Sequence, residues 1–183
     1  NEILKDIRAS QKTQELKGKT YESAFLQDAN PIGLPTSDLI RILKQIKETH
    51  PKINRITSYG RDDSISRKSL EELKELKDAG LRGIYRGLES GYDLLLRYMK
   101  KGTTAKSLIK SGLKVKESGI ELSDFIMPGL GGNLHLEGKE TWERHTEETA
   151  RVENEINPDC IRLRTLFVYP NTPLWNRAKS EEF

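Results

Sequence analysis

The stretch "GIYRGLESGYD", residues 83 to 93, decides how this chain is read. An apolar run ends on a carboxylate and a hydroxyl, Glu89 and Ser90, set between Gly87 and Gly91. A short apolar run bounded by turn residues reads as a strand, and the polar pair at its end suits either a helix cap or a ligand. Just upstream, Ser69 and Glu72 stand three residues apart as a capping box, Leu70, Leu73 and Leu76 mark one helical face, and Gly80 ends the helix. Helix, strand and glycine-flanked loop together make one repeat of an α/β fold.

The same unit recurs on both sides. "SAFLQ" (23–27), "INRITSY" (53–59), "IELSDFIM" (120–127) and "CIRLRTLFVY" (160–169) read as strands. Between them lie helices marked by Leu39, Leu43 and Ile46, by a span near 104–118 capped by Thr104 and stopped by Gly119, and by a span from about Glu140 to Ile156. That last helix is expected to turn Trp142, Thr149 and Ile156 inward. The chain opens already in helical period, with Ile3, Leu4 and Ile7. Repeated strand and helix units imply a parallel sheet, as an open doubly wound sheet or as a barrel.

Strands covered on both faces should be nearly all apolar. Here Arg86, Asp124, Arg162 and Arg164 interrupt three of them. One wet sheet face is therefore expected, which favours an incomplete barrel with a polar lumen; the alternative is edge strands whose arginines snorkel to solvent.

In parallel sheets ligands bind outside the carboxyl ends of the strands. The segments there, "QDANP", "SYGRDD", "LESGYD", "MPGLGGN" and "YPNTP", are rich in turn residues and predict one shared rim. No catalytic residue is assigned, because the rim holds neither a nucleophile elbow nor a phosphate loop. No metal site is assigned either, since the three histidines lack metal-ligand spacing, and His145 is expected as a helix residue hydrogen-bonded near the core.

The 183 residues, 34% of them hydrophobic, suit one domain over 1–183. Basic and acidic side chains, 31 against 28, leave a net charge of +3, so nucleic acid is not indicated by charge. The single cysteine, Cys160, excludes an internal disulfide, and no apolar run has the length of a spanning helix. No membrane association and a cytoplasmic location are expected.

The blocks "FLQDANPIGLPTSDLIRIL", "RITSYGR", "AGLRGIYRGLESG" followed by "KKGTT", "SGIELSDFIMPGLGG" and "YPNTPLW" resemble, in order, the radical S-adenosylmethionine (SAM) superfamily. They are most similar to its elongator-type, methylthiotransferase and oxygen-independent coproporphyrinogen oxidase branch. The resemblance implies an α/β fold, a partial (β/α)6 TIM-like barrel, of which this chain holds strands 2 to 6 with the first βα unit missing.

It also implies roles. Asp28 and Asn30 match the loop that meets the methionine ammonium, although the segment departs from the commonest form of that motif. Glu89 and Ser90 match the position after a strand that hydrogen-bonds SAM, and Lys101 a basic residue paired with the methionine carboxylate. Asp124 matches a carboxylate for the ribose hydroxyls, Met127 to Gly129 the segment along the adenine, and Ser58 or Tyr59 a further contact.

In the family a [4Fe-4S] cluster held by CxxxCxxC cysteines cleaves SAM reductively to a deoxyadenosyl radical that abstracts hydrogen from a substrate, unidentified here. An electron donor such as flavodoxin or ferredoxin serves the intact enzyme. The cluster motif is absent from this sequence. The resemblance implies that its cysteines lie upstream of residue 1; the alternative is a cluster-less, non-catalytic barrel that binds a nucleotide or a protein. A barrel enzyme that holds a phosphorylated substrate at "PGLGG" is a third reading, without an acid/base pair to support it.

Overall fold

The computed structural model describes residues 2–18, 20–136 and 139–180. Strands β1 (Ser23–Leu26), β2 (Arg55–Gly60), β3 (Leu81–Glu89), β4 (Glu121–Ile126) and β7 (Cys160–Leu163) form one sheet in the order β1-β2-β3-β4-β7. The β1–β2, β2–β3 and β4–β7 pairings are parallel, as the alternation of helices and strands predicts. Contacts divide the chain into two compact units, residues 1–86 with 114–122, and residues 87–113 with 123–183.

In the first unit, α1 (Glu2–Lys17) leads to β1 and α2 (Thr36–Thr49) to β2; α3 (Asp62–Arg67) and α4 (Leu70–Ala79) then lead to β3. The α2 stripe expected from sequence is buried, with Leu39, Leu43 and Ile46 joined by Ile42. The α4 capping box forms in both directions: Ser69 Oγ accepts from the Glu72 N–H at 3.1 Å, and Glu72 Oε2 accepts from the Ser69 N–H at 2.8 Å. Gly80 ends that helix at φ 114°, the left-handed region that glycine enters without strain. In α1 the helical period holds, but Ile3 is exposed.

Helix α3 was not anticipated, because "SYGRDD" reads as rim. Its first residue, Asp62, explains a second departure from expectation. Arg86 is fully buried, not on a wet face, with its Nη1 3.6 Å from Asp62 Oδ1, itself buried. A strand arginine can face a covered layer when a carboxylate meets it there. Ile56, Ser58 and Gly60 of β2 point to the same covered side, where a Cβ on Gly60 would meet Ile32, Ile65 and Ile84.

The opposite sheet face of this unit is the open one. Phe25, Tyr59 and Tyr85 pack there edge to face, with centroids 4.7 to 6.3 Å apart. Arg55 donates to both Glu121 oxygens, at 3.0 and 2.6 Å, which raises the guanidinium pKa further.

The second unit holds the end of β3, α5 (Asp93–Tyr98), α6 (Ala105–Glu117) up to Leu113, most of β4, the hairpin β5 (His135–Leu136) and β6 (Lys139–Glu140), α7 (Thr141–Ile156), β7 and α8 (Pro173–Lys179). Asp124 is also fully buried, in register with Ile161 on the side that α7 covers, and so it too departs from the expected wet face. Arg162 and Arg164 are exposed, as the edge-strand alternative expects.

Strand β7 ends at Leu163, not Tyr169. Trp142 is 55% exposed and its Nε1 donates to Glu140 Oε2 at 2.6 Å, which corrects the expectation of a core residue. Helix α7 buries Thr141, His145, Thr149, Val152 and Ile156, a stripe at steps of three and four that leaves Trp142 one residue out of phase. Among the described residues no helix is long and apolar enough to cross a membrane.

Candidate functional site

Strand β3 ends inside the second unit on Glu89, a non-glycine residue at φ 62°. A side chain in this left-handed region costs about 1–2 kcal/mol, so surrounding contacts must hold it. Several do. The Glu89 carbonyl accepts from the Met127 N–H at 3.1 Å, and the Glu89 carboxylate pairs with Lys101. Both side chains are partly exposed, so the pair stands at the surface of the strand-end shelf.

The next residues are fixed from beneath by α7. Ser90 is fully buried, and its Oγ accepts from the Tyr92 N–H at 3.0 Å and lies 2.9 Å from His145 Nδ1. His145 Nε2 lies 3.2 Å from the Met127 carbonyl, which can only accept; Nε2 therefore carries the proton and Nδ1 accepts from Ser90. Burial lowers the His145 pKa, opposed by that bond to Met127, and so disfavours the charged ring. Thr149 Oγ1 accepts from the Gly91 N–H at 2.9 Å. A Cβ on Gly91 would sit 2.4 Å from the Glu148 carbonyl oxygen, so only glycine lets the loop approach the helix this closely.

One imidazole thus ties the loop after β3 to the turn after β4. That turn is built on Gly129 at φ 81°, where an added Cβ would meet nothing within 4 Å. The Met127 side chain packs beside Leu95, Leu130 and Leu134. Next to Lys101, a cleft of about 530 Å³ is lined by Asp93, Arg97, Lys100, Gly102 and Thr104, among others.

Of the residues singled out in the sequence, the structure brings Glu89 together with Lys101 and with the Met127 N–H. Ser90 and Asp124 are nearby in sequence but lie in the covered layer. In the first unit Asp28 is exposed and its Oδ1 accepts from the Ala29 N–H at 2.8 Å. The Asn30 amide is spent inside that unit, donating to Ser64 Oγ at 2.8 Å and accepting from the Arg61 N–H at 2.9 Å. Ser58 is buried and donates to the Tyr59 carbonyl at 2.9 Å. His145 is hydrogen-bonded near the core as expected, but its link between two strand-end loops was missed. The one sequence signal was that His145 and Thr149 are four residues apart on a single helix face.

Residues 5–137 match the Radical SAM superfamily. The chain belongs to the radical SAM superfamily. It is 27% identical over 124 residues to the tRNA uridine(34) acetyltransferase of Methanocaldococcus infernus, covering 67% of this chain and 22% of that protein. The enzyme of the same name from Methanocaldococcus jannaschii is 24% identical over 113 residues, covering 62% and 20%. The chain therefore spans about a fifth of these relatives.

Among solved structures, the archaeal M. infernus Elp3 with an N-terminal deletion aligns with 99% of this chain and 46% of its own length, at TM-score 0.70 and 19% identity. Coproporphyrinogen III oxidase (HemN) from Escherichia coli aligns with 90% and 37%, at TM-score 0.69 and 14% identity. At such identities the likeness shows the fold, the partial barrel type expected from sequence. Membership carries SAM-dependent radical chemistry in general.

The two groups that the family implies fit these residues differently. A three-thiolate [4Fe-4S] site needs three cysteines, and this sequence has one, Cys160. Among the described residues no group of three or more His, Cys, Asp or Glu side chains could hold a metal. The cluster does not fit this chain's own residues. SAM does fit the shelf in chemical type, since a partly exposed carboxylate and lysine suit its hydroxyls and carboxylate.

Proposed function

We propose that this chain is the SAM-binding portion of a radical SAM enzyme and that Glu89 and Lys101, at the end of β3, grip the cofactor. The reading is supported most by one observation: a carboxylate held at φ 62° beside a lysine, on a loop braced by a buried histidine. Bound SAM would supply a sulfonium carbon–sulfur bond as the one to be broken. The chain's own contribution is to hold and orient it. Glu89 accepts hydrogen bonds from ribose hydroxyls or the ammonium, and Lys101 turns from Glu89 to the methionine carboxylate.

His145, Ser90 and Thr149 keep the loop in shape without touching the ligand. Cluster thiolates would come from residues other than these 183. The substrate stays open, because shared chemistry at the SAM end does not say what meets the radical.

Calorimetric titration of the chain with SAM tests the reading. Glu89→Ala should raise the dissociation constant at least tenfold, since a charge-assisted hydrogen bond contributes on the order of 1.5 to 3 kcal/mol. An unchanged constant would refute the assignment.

A further inference from the structure

Residues 94 to 113 carry five cations, Arg97, Lys100, Lys101, Lys106 and Lys110, and no carboxylate. Lys101 is committed to Glu89. The other four are exposed, and among the described residues none of them makes an ion pair. The outer face of α7, in the same unit, is built differently: Arg144 meets Glu147 at 3.4 Å, and Arg151 meets Glu148 at 3.0 Å and Glu155 at 3.5 Å. Mixed signs at steps of three and four support a solvated helix, whereas like charges four apart oppose it.

Lys106 and Lys110 are such a like pair on α6, roughly 6 Å apart along the axis. Lys106 also lies in the first turn, where the helix dipole disfavours a cation. Helix α6 therefore carries charge that its own stability does not call for. Arg97 and Lys100 line the cleft of about 530 Å³ at the start of α6. Asp93, the carboxylate on that lining, accepts from the Ala105 N–H at 2.7 Å and is thus turned to the helix.

The apolar neighbours of these cations decide what meets them. Leu113 is 44% exposed and stands three residues beyond Lys110, on the same side of α6 as both lysines. Among the described residues between 94 and 113 it is the only large apolar side chain exposed, and Tyr98, the one ring there, is partly buried beneath Arg177. A single-stranded polynucleotide would find cations but no ring to stack on, and a membrane would find one leucine to insert. A protein surface that sets carboxylates around an apolar side chain matches both the charge and Leu113.

We infer that Arg97, Lys100, Lys106 and Lys110, with Leu113 beside them, dock an acidic segment of a partner protein. The inference goes beyond the SAM reading and uses neither Glu89 nor Lys101, so either can fail alone.

The test is fluorescence anisotropy of the full chain with a labelled peptide of Glu-Glu-Leu-Glu repeats, about 16 residues long, over a range of salt. Binding in the micromolar range at low salt is expected, weakening as salt screens the charges. Arg97→Gln with Lys100→Gln, and Lys106→Gln with Lys110→Gln, should each weaken it about fivefold or more and make its salt dependence shallower. Leu113→Ser should weaken it about threefold at unchanged salt dependence. Lys106→Glu with Lys110→Glu should lose the acidic peptide and gain a Lys-Lys-Leu-Lys peptide of the same length, a reversal that loss of fold cannot produce. The urea midpoint of that variant should be no lower than the parent's, because a carboxylate at position 106 suits the helix dipole.

Lys44→Gln with Lys52→Gln, exposed positions of the first unit, should change nothing. Absence of binding, an equal loss from the Lys44 and Lys52 pair, no loss from Leu113→Ser, or no reversal in the charge-swapped variant would each overturn the proposal. So would equal affinity for a Gln-Gln-Leu-Gln peptide, or tighter binding of a labelled single-stranded RNA or of phosphatidylserine vesicles than of the acidic peptide at the same salt.

Discussion

Ser90 Oγ lies 2.9 Å from His145 Nδ1 and joins the loop after β3 to α7, while the other ring nitrogen reaches the Met127 carbonyl after β4. Because burial lowers the His145 pKa, the unfolded chain binds this proton more readily than the folded one. The contribution is fully present above the ordinary histidine pKa of about 6.5 and is lost as pH falls below it. Urea midpoints should therefore drop from pH 7.5 to pH 5.5, and His145→Gln should flatten that dependence. At pH 7.5 the substitution should cost about 1–3 kcal/mol, because buried partners lose their hydrogen bonds. An equally steep pH dependence in the variant would show that another group is responsible.

Glu89 sits where glycine is the natural occupant, at φ 62°. Its pairing with Lys101 is partly exposed and contributes at most about 1 kcal/mol. Glu89→Gly should therefore leave stability within about 1 kcal/mol of the parent, since relief of backbone strain offsets the lost pair. Glu89→Val, β-branched and without the carboxylate, should be less stable than Glu89→Gly by about 1–2 kcal/mol. Equal urea midpoints for the two variants would mean that the loop relaxes to negative φ. The SAM prediction is separate, because both variants lack the carboxylate.

How far the sequence could be read depended on whether a residue's role was local. Ser69 with Glu72, Gly80 and the α2 stripe act through neighbours three or four positions away, and all appear in the structure as expected. Arg86 and Asp124 depended on what lies across the sheet. A charged residue in a strand says that one face tolerates charge, but not whether water or a carboxylate such as Asp62 meets it. Trp142 failed because a phase error of one residue turns a helical side chain by 100°, from core to solvent. At the shelf, the glycine flanks of Glu89 were legible, whereas the bracing by His145 comes from 55 residues away.

Gly91 faces the backbone of α7, and a Cβ there would lie 2.4 Å from the Glu148 carbonyl oxygen and 2.8 Å from the Thr149 Cα. Backbone atoms cannot step aside as a flexible side chain can. Gly91→Ala should cost about 1–3 kcal/mol by overpacking and should strain the Gly91 to Thr149 hydrogen bond. Gly129→Ala, where a Cβ meets open space, should cost only the strain of positive φ. Chemical denaturation of the two variants gives the comparison, and a Gly91→Ala protein as stable as the parent would mean that the loop and helix sit further apart than described.

The Arg86–Asp62 pair is buried at both ends, unlike the exposed pairs Arg41–Asp38 and Arg151–Glu155. Removing one member disrupts a charge pair held away from water, so Arg86→Leu and Asp62→Leu should each cost about 3–5 kcal/mol. Removing both takes the attraction between them out of both sides of the comparison. The double variant should therefore lose clearly less than the sum of the singles, with a coupling in the range of 0.5–3 kcal/mol measured by a double-mutant cycle in urea. The same cycle on Arg41 and Asp38 should give less than 1 kcal/mol. If the two cycles return equal couplings, water reaches Arg86, and the covered side of β3 is wetter than its burial indicates.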